Sequence, residues 1–259
     1  MSIKIEDQNK EMSLIKHKQD WEELGNTDPF WAILTDKRRQ FGKWDIDEFF
    51  LTGDQEIGKV MQSALRLGYP PRRELALDFG CGLGRLTRAL ANYFQQCYGV
   101  DISESMIVQA KELNRHIQNC KFILNTAGHL QIFPDNYFDM IYTNIVLQHL
   151  PNQSIIKSYI FEFIRTLKKD GVFVFQLPSY IPIKNRLQPR RRLYALLKIL
   201  GFNTKFLYEK LGLNPIRMNF IPEDKVVIFL KANGAKILEI QEDLHKTRSI
   251  QSRIYYVTK

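Results

Sequence analysis

The chain has 259 residues, 44% hydrophobic, 25% charged and 12% aromatic, with a net charge of +9, a composition that suits one large α/β domain with additions. No run approaches the roughly 18 uninterrupted apolar residues of a spanning helix, and Met1-Ser-Ile-Lys-Ile-Glu-Asp7 lacks the apolar region of a signal peptide. Cys81, Cys97 and Cys120 cannot all pair and have no metal-ligand spacing, so no metal site is expected and a reducing, cytoplasmic compartment is.

In chain order, residues 1–24 are polar with Leu14, Ile15, Trp21 and Leu24 at helical intervals, predicting a loose amphipathic helix. Asp28 and Pro29 suit the cap and first turn of a short second helix. The stretch from Phe41 to Gly53 is unusually aromatic; Trp31, Trp44, Phe49 and Phe50 either staple this lead-in to a core or line a pocket over a ligand. A helix over 56–67 and a turn at Gly68-Tyr-Pro-Pro-Arg72 lead into a βαβ rhythm. Strands fall near 75–79, 96–100, 120–124, 138–143 and 171–177, with helices near 85–95, 104–115 and 153–168. Ser103 suits the N-cap of the second of these helices, and Pro151-Asn152 starts the third. Right-handed crossovers put the carboxyl ends of all these strands on one edge, where ligands bind, and Gly80, Asp101, Thr126 and Asn144 fall there.

After Pro178 the rhythm breaks. Residues 180–221 hold nine Lys and Arg against Glu209 alone, a charge of +8, which favours anions. Leu193, Leu196, Leu197 and Leu200 form a helical stripe there and a second helical run covers 204–211; the insertion as a whole is expected to roof the ligand edge. A helix over 222–233 stops at Gly234, and 235–241 with 253–258 complete the sheet as a terminal pair.

The glycine turn decides the ligand. A buried strand over 75–79 feeds a helix at Arg85 through Gly80, Gly82 and Gly84, setting unpaired helix N–H groups beside an approachable backbone. Asp101, at the end of the next apolar run, can accept both hydroxyls of a ribose. Arg85 stands where a dinucleotide fingerprint has its third glycine. With Asp78 ahead, the pattern D-x-G-C-G-x-G resembles motif I of class I S-adenosylmethionine (SAM)-dependent methyltransferases. Tyr98-Gly-Val-Asp-Ile-Ser-Glu-Ser-Met106, the segment from Thr126 to Asp139, Asn144-Ile-Val-Leu-Gln-His-Leu-Pro151 and Leu167 to Phe175 resemble later motifs, so the likeness covers roughly 55–178 and more weakly 222–258.

The resemblance implies a Rossmann-like, doubly wound, seven-stranded sheet, mostly parallel with the last strand antiparallel. It also implies a helical lid over 1–54 and a SAM-binding domain over 55–259, with a helical substrate cap inserted after strand five at 180–221. The cofactor would be SAM, leaving as S-adenosylhomocysteine (SAH). Asp78, Gly80, Cys81, Gly82 and Gly84 would form its turn, with Cys81 a small packing residue. Asp101 would hold the ribose, Ile102 and Met106 the adenine, Thr126, Ala127 and Gly128 the adenine edge, and Asn144 would lie beneath the reacting methyl. Many relatives carry an Asp in the adenine loop, where this chain has Thr126 and His129.

Methyl transfer from a sulfonium asks mainly for alignment and exclusion of water, and for a base only when the acceptor carries a proton. His149 is the candidate base; the alternative is a packing residue that caps the next helix. Candidate acceptor contacts are Trp44, Tyr142, Gln148, Arg190 and Arg217, with Thr52 in the lid beside Trp44. Arg85 either faces the methionine carboxylate or is solvated, Asp139 is structural, and His17, His116 and His245 read as solvated surface. The expected function is methylation of an oxygen or nitrogen on a small, possibly anionic metabolite. Two alternatives stand beside it: an RNA methyltransferase acting on tRNA or rRNA, and a non-catalytic SAM-binding protein. For the basic insertion, docking to a membrane surface or an acidic protein is a further reading.

Overall fold

The computed structural model describes residues 2–243 and 249–259, so His245 lies outside the described residues. Helices α1 (Ser2–Thr27), α2 (Pro29–Ile33) and α3 (Ile46–Arg66) precede the sheet. Helix α3 begins ten residues before the expected start, because the Asp45 carboxylate accepts the Glu48 N–H at 2.9 Å and caps it there. It therefore carries Phe49 and Phe50 into the interior and runs without a break through positions 54 and 55.

The alternating part follows as β1 (Leu75–Phe79), α4 (Arg85–Leu90), β2 (Gln96–Asp101), α5 (Glu104–Leu113), β3 (Cys120–Leu124), β4 (Phe138–Thr143), α6 (Gln153–Thr166) and β5 (Leu167–Tyr180). Helix α4 stops five residues short of the expected end, where the Asn119 amide donates to the Ala91 and Phe94 carbonyls and takes them from the helix. The insertion holds α7 (Ile183–Arg186), α8 (Pro189–Ile199) and α9 (Thr204–Leu211), and α10 (Glu223–Ala232), β6 (Lys236–Glu242) and β7 (Gln251–Thr258) close the chain.

The seven strands lie in the order β3-β2-β1-β4-β5-β7-β6, parallel except that β7 runs antiparallel to both its neighbours. Side-chain alternation divides the core. Leu77, Phe79, Ile141, Phe173, Phe175, Tyr255 and Val257 face α6 and α10. Ala76, Met140, Tyr142, Val172, Val174 and Tyr256 face α3 and α4. Both faces are covered, which is why these strands read as near-continuous apolar runs. The order reverses between β1 and β4, so their carboxyl ends open the crevice in which such sheets bind ligands.

Lead-in and insertion meet above that crevice. Leu24, Ala32, Phe49 and Phe50 pack with Leu83 of the glycine turn and Met106 of α5. Helices α8 and α9 enclose a small core of their own, Tyr194, Leu207 and Leu213. They are tied to α1 through Glu23, which accepts from Tyr194 Oη at 2.6 Å, Thr204 Oγ1 at 2.8 Å and Lys198 Nζ at 2.9 Å. Leu193, Leu196 and Leu200 of the stripe are exposed, because the face of α8 bearing Tyr194 and Lys198 is the one that docks on α1.

Candidate active site

The turn after β1 is pinched from two sides. Gly80 and Gly82 have φ of +77° and +51°, a region that costs any residue with a Cβ. A Cβ on Gly80 would collide with the Val146 methyls, and one on Gly82 would lie 2.5 Å from Ile33. The bare backbone thus lets the β4 loop and α2 close on the turn. Between them is a cavity of about 890 Å³, counting space open to solvent, roofed by His17, Trp21 and Ile33 and floored by Gly80, Cys81 and Gly82.

Asp101 ends β2 on the wall of this cavity. Its Oδ2 accepts the Gly82 N–H at 2.8 Å and its Oδ1 the Ser103 N–H at 2.9 Å. Burial pushes its pKa above the usual carboxylate range, against the pull of those two bonds. A carboxylate has about four acceptor positions, so this one keeps capacity for the hydroxyls of a ribose. Ile102 and Met106 continue the wall, and Asn125 closes it beyond β3.

A polar hub stands on the other side. Glu56 of α3 accepts from Arg85 Nη2 at 2.8 Å, Tyr142 Oη at 2.9 Å and Asn144 Nδ2 at 2.6 Å, while Arg85 Nη1 reaches Thr52 Oγ1 at 3.3 Å. Arg85 is buried on the cavity wall rather than solvated, and its Nε–H is buried with no hydrogen-bond partner. Ile145, next to Asn144, has φ of +60°, a strained conformation for a β-branched residue. Its N–H donates to Gln176 Oε1 at 3.3 Å.

His149 lines the cavity with its tautomer fixed. The Arg217 carbonyl lies 2.6 Å from Nδ1 and can only accept, so Nδ1 carries the proton. The Gln148 amide lies 3.1 Å from Nε2 and donates to it, and Gln148 Oε1 in turn accepts from Gln176 Nε2 at 3.4 Å. Trp21 packs on the imidazole at a centroid distance of 5.7 Å.

His17 is not surface: α1 buries it in the cavity roof beside Trp21. Burial first, then the charge of Arg217, pushes its pKa down to about 3, so it is neutral at physiological pH. It sits three residues after Leu14 and four before Trp21, on the apolar stripe of the predicted helix; that spacing was the available signal. His116 is exposed as expected.

Of the residues singled out from the sequence, Gly80, Cys81, Gly82, Asp101, Ile102, Met106, Asn144 and His149 come together on this one cavity. Others lie behind it. Asp78 is buried beneath the turn, where its Oδ2 accepts from Thr87 Oγ1 at 2.6 Å and burial raises its pKa to about 7. Gly84 abuts Phe122 and Asn114. Thr126 is exposed, Ala127 takes the Tyr159 hydroxyl on its carbonyl at 2.5 Å, and Gly128 meets Leu14; Asn125 lines the wall where these three were expected. Tyr142 and Gln148 are absorbed by the Glu56 and His149 networks. Trp44 packs on Phe49 and donates to the Leu34 carbonyl at 3.3 Å. Arg190 donates to the Gly212 carbonyl at 2.7 Å. Arg217 lies 3.5 Å from Asp20, behind His149.

Residues 77–175 match the methyltransferase domain family. The uncharacterized methyltransferase YcgJ of Bacillus subtilis is 34% identical over 108 residues, 41% of this chain and 41% of its own length. The 2-methyl-6-phytyl-1,4-hydroquinone methyltransferase of Synechocystis is 31% identical over 155 residues, 60% of this chain and 47% of that protein. The chain thus spans half or less of the length of these two relatives. Among solved structures, magnesium protoporphyrin IX methyltransferase from Synechocystis with bound SAH has the same fold, with a TM-score of 0.61 at 21% identity over 95% of this chain and 99% of the other. The stretch that carries the glycine turn, Asp101 and the β4 loop, residues 77–175, is thus the part of the chain similar to the methyltransferase domain family.

Proposed function

We propose that the protein transfers the methyl group of SAM to an oxygen or nitrogen of a small acceptor with an apolar body and a polar or anionic end. The observation that carries this reading is the convergence of the glycine turn, Asp101 and the β4 loop on one cavity closed by the lead-in helices. Gly80 and Gly82 present backbone to the cofactor, Asp101 takes the ribose hydroxyls, Ile102 and Met106 flank the adenine, and Asn125 stands at its edge. Arg85, with its unpartnered Nε–H, suits the methionine carboxylate. Bound there, SAM supplies an electrophilic methyl on a sulfonium.

The chain's own residues do the rest. Glu56 fixes Arg85 and Asn144 against each other, and Trp21, Ile33 and Val146 exclude water from the cavity. His17, held neutral, adds no charge beside the sulfonium. His149 has its proton fixed on Nδ1, so Nε2 is the basic nitrogen and can exchange the Gln148 amide for an acceptor hydroxyl. Residues 1–54 act as the lid and 180–221 as the cap. An apolar-bodied acceptor agrees with the walls formed by Trp21, Ile33, Val146 and Leu150, and relatives named for a phytyl hydroquinone and a porphyrin support it. The three cysteines are free, which supports a reducing, cytoplasmic setting.

The test is methyl incorporation from labelled SAM across a panel of phenols, carboxylates and amines carrying apolar groups. We expect turnover on at least one class, and none on the whole panel counts against the reading. With a phenolic acceptor, His149→Ala should lower kcat by about 10²–10⁴-fold. With a carboxylate, which arrives already ionised, the same change should leave kcat within about threefold. Equal losses on both would make His149 a packing residue.

A further inference from the structure

The cap turns an apolar face to solvent. On α8, Leu193, Leu196, Ile199 and Leu200 are between 46% and 83% exposed. At the turn into α9, Phe202 and Phe206 stack at a centroid distance of 5.8 Å, both exposed. The opposite side of α8 holds Tyr194 and Lys198 against Glu23 of α1, so the outward direction of the leucine stripe is set by its anchor. Single exposed leucines are common, but a run of large apolar side chains along one helix and into the next turn marks a surface that is covered in use.

The charge around this face identifies what covers it. Arg190, Arg192, Lys205 and Lys210 are exposed on the same elements, as is Lys184 on the preceding α7, and Glu209 is the lone acid between residues 180 and 221. Lys198 and Arg217 turn inward onto Glu23 and Asp20. Aliphatic and aromatic side chains flanked by cations of one sign make an in-plane interfacial helix, whose apolar side enters the acyl boundary while the long cationic side chains reach the headgroups. An anionic surface complements the basic excess that remains once Lys198 and Arg217 are paired. No helix among the described residues is long and apolar enough to cross a membrane, so attachment would be to one leaflet.

We propose that the α8–α9 cap docks the protein flat on an anionic lipid bilayer. Because the inner side of the cap is bonded to α1, whose His17 and Trp21 roof the cavity, docking brings that roof to the lipid surface and lets an amphiphilic acceptor enter from it. The entry step rests on the methyl-transfer reading; the docking does not.

The experiment is co-sedimentation of the full chain with vesicles of phosphatidylcholine alone or with about one third phosphatidylglycerol, with SAH binding followed separately by calorimetry. The protein should pellet with the anionic vesicles, not the neutral ones, and less as salt is raised. Ile199→Glu and Leu196→Glu should each weaken partitioning about tenfold or more, and Arg192→Ala about fivefold. Ile228→Glu, on an equally exposed aliphatic residue of α10, should change nothing, and all four variants should bind SAH as the parent does. Failure to pellet with anionic vesicles, or equal losses for Ile228→Glu, would overturn the proposal. So would an Ile199→Glu variant that breaks a dimer, or loses RNA, while pelleting unchanged. Loss of SAH binding by the parent chain would strike the methyl-transfer reading and leave the docking standing.

Discussion

Burial moves His17 and Asp78 in opposite directions, and their effects on stability have opposite signs. The pKa of His17 falls from 6.5 to about 3, so its contribution is fully present above pH 6.5 and is lost as pH falls toward 3, when the unfolded chain binds a proton the folded one refuses. The pKa of Asp78 rises from 3.8 to about 7, so its contribution is fully present below about pH 4 and is lost as pH rises toward 7. Between pH 4 and 6.5 the two slopes partly cancel. Relative to the parent, Asp78→Asn should be more stable at pH 7.5 than at pH 5, by no more than roughly 4 kcal/mol, and His17→Gln more stable at pH 5 than at pH 7.5. Urea unfolding at the two pH values reads both, and parallel shifts would mean that neither group is perturbed. Asp101 and the glycines were legible in the sequence because their spacing is local to one strand, turn and helix. Glu56 was not, since its partners Arg85, Tyr142 and Asn144 lie 29, 86 and 88 positions away and nothing in a helical run of mixed polarity marks one acid as their acceptor.

Helix α3 crosses α4 where Gly53 removes a side chain. A Cβ there would lie 2.5 Å from the Arg85 carbonyl oxygen and 2.9 Å from Arg85 Cγ, whereas one on Gly58 meets only Tyr93 Oη at 3.7 Å. Gly58→Ala should therefore gain roughly 0.5–1 kcal/mol from helix propensity alone. Gly53→Ala should lose about 1–3 kcal/mol to overpacking and weaken SAH binding, because Arg85 and Glu56 shift together. Denaturant titration and calorimetry check the pair; a stabilised Gly53→Ala would mean that the crossing is loose. At this scale the strands were readable from their apolar runs and turn glycines. The start of α3 was not, because its cap at Asp45 lies inside an aromatic stretch that masks the helical period. The stripe on α8 was read as a face, but periodicity fixes only that a face exists, and contact with Glu23 decides which side of the helix is outward.

Across the molecule, α1 is the strut that joins the sheet and its helices to the 180–221 insertion. Asp20 lies against Arg217, Glu22 accepts from Ser103 Oγ at 2.8 Å, and Glu23 holds Tyr194, Lys198 and Thr204. Three neighbouring acids of one helix thus fix the loop behind His149, the start of α5 and the cap. Glu23→Ala leaves the three cap donors without their acceptor. It should speed proteolytic cleavage within 180–221 about fivefold or more while cleavage elsewhere is unchanged; uniform or absent acceleration would mean that the cap is held by its apolar contacts instead. The seven-stranded, mostly parallel sheet with its antiparallel last strand followed from the family likeness, whereas this bracing depends on acids that look solvated in a polar helix.

Whether the cavity between the glycine turn and α1 holds a sulfonium nucleoside anchored by Asp101 is read by calorimetric titration with SAH. One molecule should bind per chain, Asp101→Ala should lose roughly ten- to 150-fold in affinity, and NAD should give no heat. A parent chain that ignores SAH while binding NAD, or an Asp101→Ala variant that binds SAH as tightly as the parent, would contradict it.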